Sequence, residues 1–106
     1  MTAGEILRVL YQVDKTAPIL VNDCGWTTYA NKALISTVFS KVTIMHYTDD
    51  ESTYESNILT TKKLIAELEK VPKMYMVDAY DGDRSYGVYA VNIEEKDFTE
   101  RIILYV

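Results

Sequence analysis

The chain has 106 residues, of which 48% are hydrophobic and 25% are charged, and its formal net charge is −5. This length and composition predict one folded domain with a single modest core, and they argue against intrinsic disorder. With 11 lysines and arginines against 16 acids, the chain lacks the basic stripe that binds nucleic-acid phosphates. Direct nucleic-acid binding is therefore excluded from the expected functions.

The cysteine count and the apolar runs indicate the compartment. The chain holds 1 cysteine, Cys24, which cannot form an internal disulfide, and its first residues lack the pattern of a secretory signal. The longest apolar runs, residues 33–35 and 102–106, are far shorter than the roughly 20 residues that a membrane-spanning helix needs. We therefore expect a soluble cytoplasmic protein with no membrane partner.

The first half predicts one helix followed by strands. Residues 2–5, Thr-Ala-Gly-Glu, have the pattern of a capping box, and an apolar stripe at helical spacing follows as far as Val13. Pro18 cannot continue a helix, so residues 19–21 are predicted as a strand. A turn over residues 22–25 and extended segments at 26–29, 33–39 and 42–47 complete an α-β-β-β unit.

A second unit follows an acidic segment, residues 48–58, which we interpret as a linker. A helical stripe runs from Thr60 to Val71, and Pro72 ends it. Strands are predicted at 74–79, 85–93 and 101–106, with an Asp-Gly hairpin turn at 81–83 and a polar turn at 94–97. The second half is therefore also α-β-β-β.

The two halves can be aligned as a pseudo-repeat, residues 1–47 and 59–106. Thr2 aligns with Thr60 and Leu10 with Leu68, and further on Val21 aligns with Val77. Duplication and chance convergence of two amphipathic units both explain this similarity. In either case the halves must pack together to bury a core. The predicted fold is α+β: two α-β-β-β units packed as one domain, with two helices on one face of a mainly antiparallel sheet.

The opening of the chain resembles a group of small accessory proteins from phages, prophages and plasmids. These begin with a threonine-capped helix of the pattern T-x-x-E-L-I-x-x-L, followed by a short break and a hydrophobic strand. Residues 2–10 followed by 18–21 match this pattern, and residues 60–77 look like a second copy that lacks the acid. The resemblance implies a mobile-element accessory protein and brings no catalytic residues with it.

Few residues suggest chemistry. Cys24 and His46 are the only pair from which a nucleophile and a base could be built, but we interpret Cys24 as an inert turn residue and His46 as a partly exposed strand residue. Asp78, Asp81 and Asp83 offer oxygen ligands, yet a hairpin turn explains them better than a cation site. We predict no catalytic residue, no metal and no cofactor. A small hydrolase remains the weakest alternative.

The aromatic composition favours binding to another protein. The chain has 9 tyrosines and 1 tryptophan against 2 phenylalanines, and tyrosine and tryptophan are enriched where proteins bind each other. The candidate binding residues lie near the two predicted hairpins: Trp26, Tyr29, Tyr80, Tyr86 and Tyr89. Tyr86 and Tyr89 can share a face only if a bulge at Gly87 intervenes. Half-buried tyrosines that cover the sheet edges are an equally good explanation.

Two functions follow from these observations. The first is a non-enzymatic protein-interaction module with an unidentified protein partner, which also forms a homodimer if residues 102–106 are an unpaired edge strand. The second is an acidic inhibitor of a host defence nuclease, which imitates nucleic-acid phosphates or binds the enzyme directly. Its acidic residues would be Asp49, Asp50 and Glu51, because residues 48–57 hold four acids and no base.

Overall fold

Two capped helices begin the two halves of the chain. The computed structural model describes residues 1–46 and 58–106, which contain α1 (Ala3–Leu10) and α2 (Thr61–Leu68). The Thr2 hydroxyl accepts from the Glu5 N–H while the Glu5 carboxylate accepts from the Thr2 N–H, so the predicted capping box is present. The Thr60 hydroxyl accepts from the Lys63 N–H, but α2 has a lysine where α1 has Glu5, so no carboxylate in its first turn accepts from the Thr60 N–H.

The described residues also form seven strands. They are β1 (Ile19–Asp23), β2 (Trp26–Ser36), β3 (Lys41–His46), β4 (Met76–Tyr80), β5 (Ser85–Gly87), β6 (Ala90–Lys96) and β7 (Thr99–Tyr105). Two hairpins use two-residue turns in which both residues have positive φ: Cys24 (52°) with Gly25 (93°), and Asp97 (54°) with Phe98 (63°). Such turns match the right-handed twist of the strands they connect.

The strands form one mixed sheet in the order β5-β4-β3-β2-β1-β7-β6. Four of the six pairings within the described residues are antiparallel, and the parallel ones, β1 with β7 and β3 with β4, join the two halves. The first and last strands in this order, β5 and β6, are separated in sequence only by Val88 and Tyr89. The sheet must therefore curl until its two ends meet, and backbone bonds from Val88 N–H to Val77 and from Tyr89 N–H to Tyr105 fill the junction.

The pairing pattern gives the curled sheet two distinct ends. β1, β3, β4 and β7 run in one direction while β2, β5 and β6 run in the other. We define two ends of the sheet by β1, β3, β4 and β7. These strands begin at the end that we call the amino end, and they finish at the opposite end, which we call the carboxyl end. The β2–β3 and β6–β7 hairpin tips lie at the amino end, and the β1–β2 and β4–β5 turns lie at the carboxyl end together with His46.

The starts of both helices are held by the same contacts, repeated 58 residues apart. The Ala3 N–H donates to the Tyr75 carbonyl at 2.8 Å, and Thr61, 58 positions after Ala3, donates to the Ala17 carbonyl at 2.8 Å. Two further pairs of contacts have the same spacing. The Gly4 N–H donates to Lys73 and the Lys62 N–H donates to Lys15. Thr2 forms a β-bridge with Met76, and Thr60 forms one with Pro18. Each helix therefore begins against the other half, and the two halves interlock.

We call two residues related in this way counterparts. The spacing is 58 residues for every position from Met1 to Ala30. The N-terminus of Met1 donates to the Val88 carbonyl, and the N–H of Leu59, the counterpart of Met1, donates to the carbonyl of Ala30, the counterpart of Val88. Beyond the β2–β3 and β6–β7 hairpins the spacing is 60, because the second hairpin is two residues longer. The structure makes Ile19 the counterpart of Val77, so the predicted alignment of Val21 with Val77 is wrong by two residues.

The core fills the inside of the curled sheet. Ile6 and Leu10 of α1 and their counterparts Leu64 and Leu68 of α2 are buried. They pack on one cluster with the inward residues of the strands: Ile19, Val21, Val42, Ile44, Val77, Ala79, Ile102 and Leu104. α1 contacts β6 and α2 contacts β2, so each helix also packs on a long strand. No helix within the described ranges is long and apolar enough to cross a membrane.

The predicted α+β class is confirmed, but parts of the predicted sheet are wrong. The strand predicted at 85–93 is divided into β5 and β6, so the second half contains four strands. The turn predicted at 94–97 begins later, because Glu94 to Lys96 belong to β6. β7 lies between β1 and β6, so the C-terminal strand is not an edge and the proposed reason for a homodimer is lost.

Candidate protein-binding surface

The aromatic residues predicted to bind a partner do not form one cluster. Trp26 is 78% exposed beside the β1–β2 turn and Tyr89 is 70% exposed at the junction of β5 and β6, while Tyr29 and Tyr86 are less exposed and Tyr80 is half-buried. Within the described part of the chain, the one pair of aromatic rings in contact is Tyr89 with Tyr105, whose centroids are 6.4 Å apart.

Two of these tyrosines serve the hairpin that carries them. The Tyr80 hydroxyl donates to the Gly82 carbonyl at 2.8 Å, and the Tyr86 hydroxyl accepts from the Arg84 guanidinium at 3.4 Å. Such contacts stabilise the β4–β5 hairpin whether or not a partner binds. A role of these residues in binding stays a prediction. The acidic candidates, Asp49, Asp50 and Glu51, lie outside the described residues together with most of the predicted linker.

His46 contradicts the prediction of a partly exposed strand residue. Only 2% of it is exposed, because it ends β3 on the inner face of the sheet, where its Nδ1 lies 2.9 Å from the Thr28 hydroxyl. Burial lowers its pKa, although the carboxylates of Asp81 and Asp23 oppose this effect. The side chain belongs to the packed carboxyl end of the sheet.

The other candidate chemical groups have structural explanations. Cys24 is exposed in its turn, and the neighbouring Asp23 raises the pKa of the thiol, which disfavours the reactive thiolate. Asp81 accepts from the N–H groups of Asp83 and Arg84 and closes the hairpin, while Asp78 forms an ion pair with Lys41. Among the described residues, no group of three or more acids, histidines or cysteines could hold a metal ion.

Within the described residues, a group of exposed apolar side chains lies at the amino end of the sheet. We call it the tip patch, and it consists of Leu34 (48% exposed), Val38 (84%), Phe39 (74%), Met74 (78%) and Met76 (53%). These residues come from the end of β2, the β2–β3 hairpin tip and the start of β4. They are distant in sequence and become neighbours because β3 and β4 pair in parallel.

Backbone and side-chain contacts bring the parts of the tip patch together. The Met76 N–H donates to the Ser40 carbonyl at 3.3 Å, and Met76 is the register partner of Lys41. The Lys41 ammonium lies 5.8 Å from the centre of the Phe39 ring and 3.0 Å from an Asp78 carboxylate oxygen. The phenylalanine ring is thereby held beside the outer face of β3 and β4, the face that carries Met76.

The counterpart surface, at the β6–β7 hairpin and the start of β1, is built with different residues. The counterparts of Leu34, Met74 and Met76 are Asn92, Thr16 and Pro18, and the tip of the counterpart hairpin has one exposed apolar residue, Phe98. The fold therefore does not require exposed leucine and methionine at these positions, since its other copy does without them. The tip patch is a property of one surface only.

Sequence reasoning missed the tip patch. The sequence pattern places Phe39 at the end of one predicted strand and Met74 and Met76 at the start of another, and it does not indicate a binding role for them. The sequence contains one signal: both phenylalanines of the chain, Phe39 and Phe98, lie in hairpin turns between two strands. A large apolar residue at a turn has little chance of burial.

Comparison of the chain with protein-family models, with curated proteins and with solved structures gives no match.

Proposed function

We propose that this chain is a non-enzymatic protein-interaction module, encoded on a phage or another mobile element, that binds its protein partner through the tip patch. One observation carries the proposal: the fold builds this surface twice, and only one copy exposes a group of large apolar side chains. Contiguous exposed apolar surface of this kind marks interaction sites in otherwise polar proteins.

The chemistry of the tip patch suits an anchor for a partner. Methionine side chains adapt their shape to the surface they meet, and a phenylalanine ring supplies a large apolar contact. Burying one side chain of this size contributes about 1.5–3 kcal/mol, and this gain must exceed the cost of association. Lys41 lies within the patch with its ammonium already paired to Asp78, so a partner need not supply a counter-charge for it.

The test compares two exposed hairpin surfaces of the same protein. Tagged wild-type protein, the double variant Phe39→Ser/Met76→Ser and the control variant Phe98→Ser are each used to capture partners from a lysate of the native host. Phe98 is 98% exposed and Phe39 is 74% exposed, so the control removes an even more accessible ring, from the counterpart hairpin. We expect a stoichiometric partner with wild type and with Phe98→Ser, and its loss with the double variant.

Controls separate binding from folding and from self-association. All three proteins should unfold at similar temperatures, since the substituted side chains are exposed. Sedimentation of the purified wild-type protein shows whether the captured partner is a second copy of this chain. Capture of the same partner by the double variant would refute the proposed surface, as would the absence of any stoichiometric partner with wild type.

A further inference from the structure

A groove adjoins the tip patch over the first turns of α1. Its volume is about 240 Å³, and its lining includes Gly4, Leu7, Arg8, Tyr11 and Lys73. The chain itself links it to the tip patch, because Lys73, which lines the groove, is followed by Met74. A side chain of a segment bound on the tip patch can therefore reach the groove.

Gly4 allows Lys73, on the opposite wall of the groove, to lie close to the start of α1. A Cβ atom at this position would lie 3.0 Å from the Cβ of Lys73 and 3.3 Å from its carbonyl oxygen, which already accepts the Gly4 N–H at 2.9 Å. A larger residue would push away the segment that forms the opposite wall. The counterpart of Gly4 is Lys62, so the start of α2 carries a long side chain where α1 carries none.

The charges of the groove are opposite in sign to the charge of the chain as a whole. Arg8 and Lys73 are exposed, and neither forms an ion pair with any residue that the structure describes. The acid in the lining, Glu5, already accepts from the Thr2 N–H and hydroxyl. Tyr11 is held in place by its hydroxyl, which donates to the Glu69 carboxylate at 2.9 Å. The lining thus holds two cations without an ion pair and one carboxylate that is already engaged, although the charge of Arg8 also helps to lower the pKa of Glu5.

We infer that the partner segment on the tip patch carries an aspartate or glutamate close to its apolar anchor, and that this carboxylate binds in the groove between Arg8 and Lys73. The inference rests on the proposed function, because it assigns the chemistry of the partner at that same surface. Leu7 and Tyr11 contact the methylene groups of the acidic side chain, while the two cations neutralise its charge. A basic segment would be repelled.

The test is a selection of random peptides, displayed on a carrier, against the immobilised full chain. Peptides selected by wild type should combine an apolar residue with an aspartate or glutamate a few positions away. The variant Arg8→Glu/Lys73→Glu should bind those peptides roughly tenfold more weakly, and a selection against it should favour lysine or arginine. The matched control is Lys62→Glu/Lys63→Glu, which changes the net charge equally but lies at the start of α2, and it should keep the wild-type preference.

The outcomes distinguish the inference from the proposed function. The inference fails if Arg8→Glu/Lys73→Glu binds the selected peptides as tightly as wild type does. It also fails if the control variant Lys62→Glu/Lys63→Glu loses as much affinity for them, because the groove is then not the carboxylate site. If Phe39→Ser/Met76→Ser binds them as wild type does, the tip patch is not the anchor and the proposed function fails. Selected peptides without acidic residues, or no selected peptides at all, would also overturn the inference.

Discussion

At the scale of single residues, His46 shows how one ionisable group is accommodated inside the sheet. Its ring is nearly inaccessible, its Nδ1 contacts the Thr28 hydroxyl, and the carboxylates nearest to it are those of Asp81 and Asp23. Asp23 and Asp81 are counterparts, one from each hairpin at the carboxyl end. Loss of hydration outweighs the attraction of both acids, so the neutral imidazole is favoured in the folded protein.

We expect His46 to titrate with a pKa below 6.5 in the folded protein. Because the unfolded chain binds this proton more readily, the contribution of His46 to stability is complete above pH 6.5 and is lost as the pH falls through the folded pKa. The chain has 1 histidine, so one imidazole resonance in an NMR titration of untagged protein reports the value directly. A folded pKa at or above 6.5 would show that Asp23 and Asp81 dominate instead.

At the scale of the elements, the two helix caps differ although both use threonine. Thr2 and Glu5 exchange hydrogen bonds in both directions, whereas Thr60 only accepts from Lys63, at 3.4 Å. The bonds from the Thr2 N–H and hydroxyl lower the pKa of Glu5 below its ordinary value. The carboxylate therefore supports α1 at neutral pH, and this support disappears as the pH falls through its lowered pKa.

We expect Thr2→Ala to lower the free energy of unfolding by about 1–2 kcal/mol and Thr60→Ala to lower it by about half as much. Both substitutions remove a cap hydroxyl from a helix of the same length, so each serves as the control for the other. Urea denaturation at neutral pH measures both values. Equal losses would mean that the second bond of the Thr2 hydroxyl, which it donates to the Glu5 carboxylate, adds nothing to the cap.

The local elements were predictable where local chemistry decides them. The capping box marks the start of α1, Pro18 and Pro72 follow the helices, and Asp81 with Gly82 forms a turn. The division between β5 and β6 was not predictable in this way, because residues 85–93 read as one continuous strand. Val88 still bonds to Val77 of β4 while Tyr89 bonds to Tyr105 of β7, and this change of partner strand is a consequence of the curling of the whole sheet.

The whole molecule determines the candidate surface, and for this reason sequence reasoning did not find it. The tip patch requires β3 and β4 to pair in parallel, which places Met76 beside Lys41. Nothing near Phe39 in the sequence indicates that Met76 will be its neighbour. The aromatic residues chosen from composition are instead distributed over both ends of the sheet.

We propose that the two halves arose by duplication, and the 58-residue spacing of the helix contacts supports this origin over convergence. Convergence of two amphipathic units accounts for similar helices, but it does not account for hydrogen bonds that are exchanged position by position between them. Tyr11 and Glu69 are counterparts and bond to each other, as expected for residues beside a two-fold axis. An ancestral dimer of single units would form the same exchanged contacts.

The interlocked contacts also predict that neither half folds alone. In a peptide of residues 1–46, the N–H groups of Ala3 and Gly4 lose the carbonyls of Tyr75 and Lys73, and β1 and β3 lose their parallel partners. A helix as short as α1 is unstable without tertiary contacts, and the inward residues Ile19 and Ile44 would face water. We expect no cooperative thermal transition by circular dichroism for this peptide or for residues 58–106, and one transition for the full chain. A 1–46 peptide that folds cooperatively as a monomer, as sedimentation would show, would contradict the interlocking, because it would have to satisfy these groups within one half.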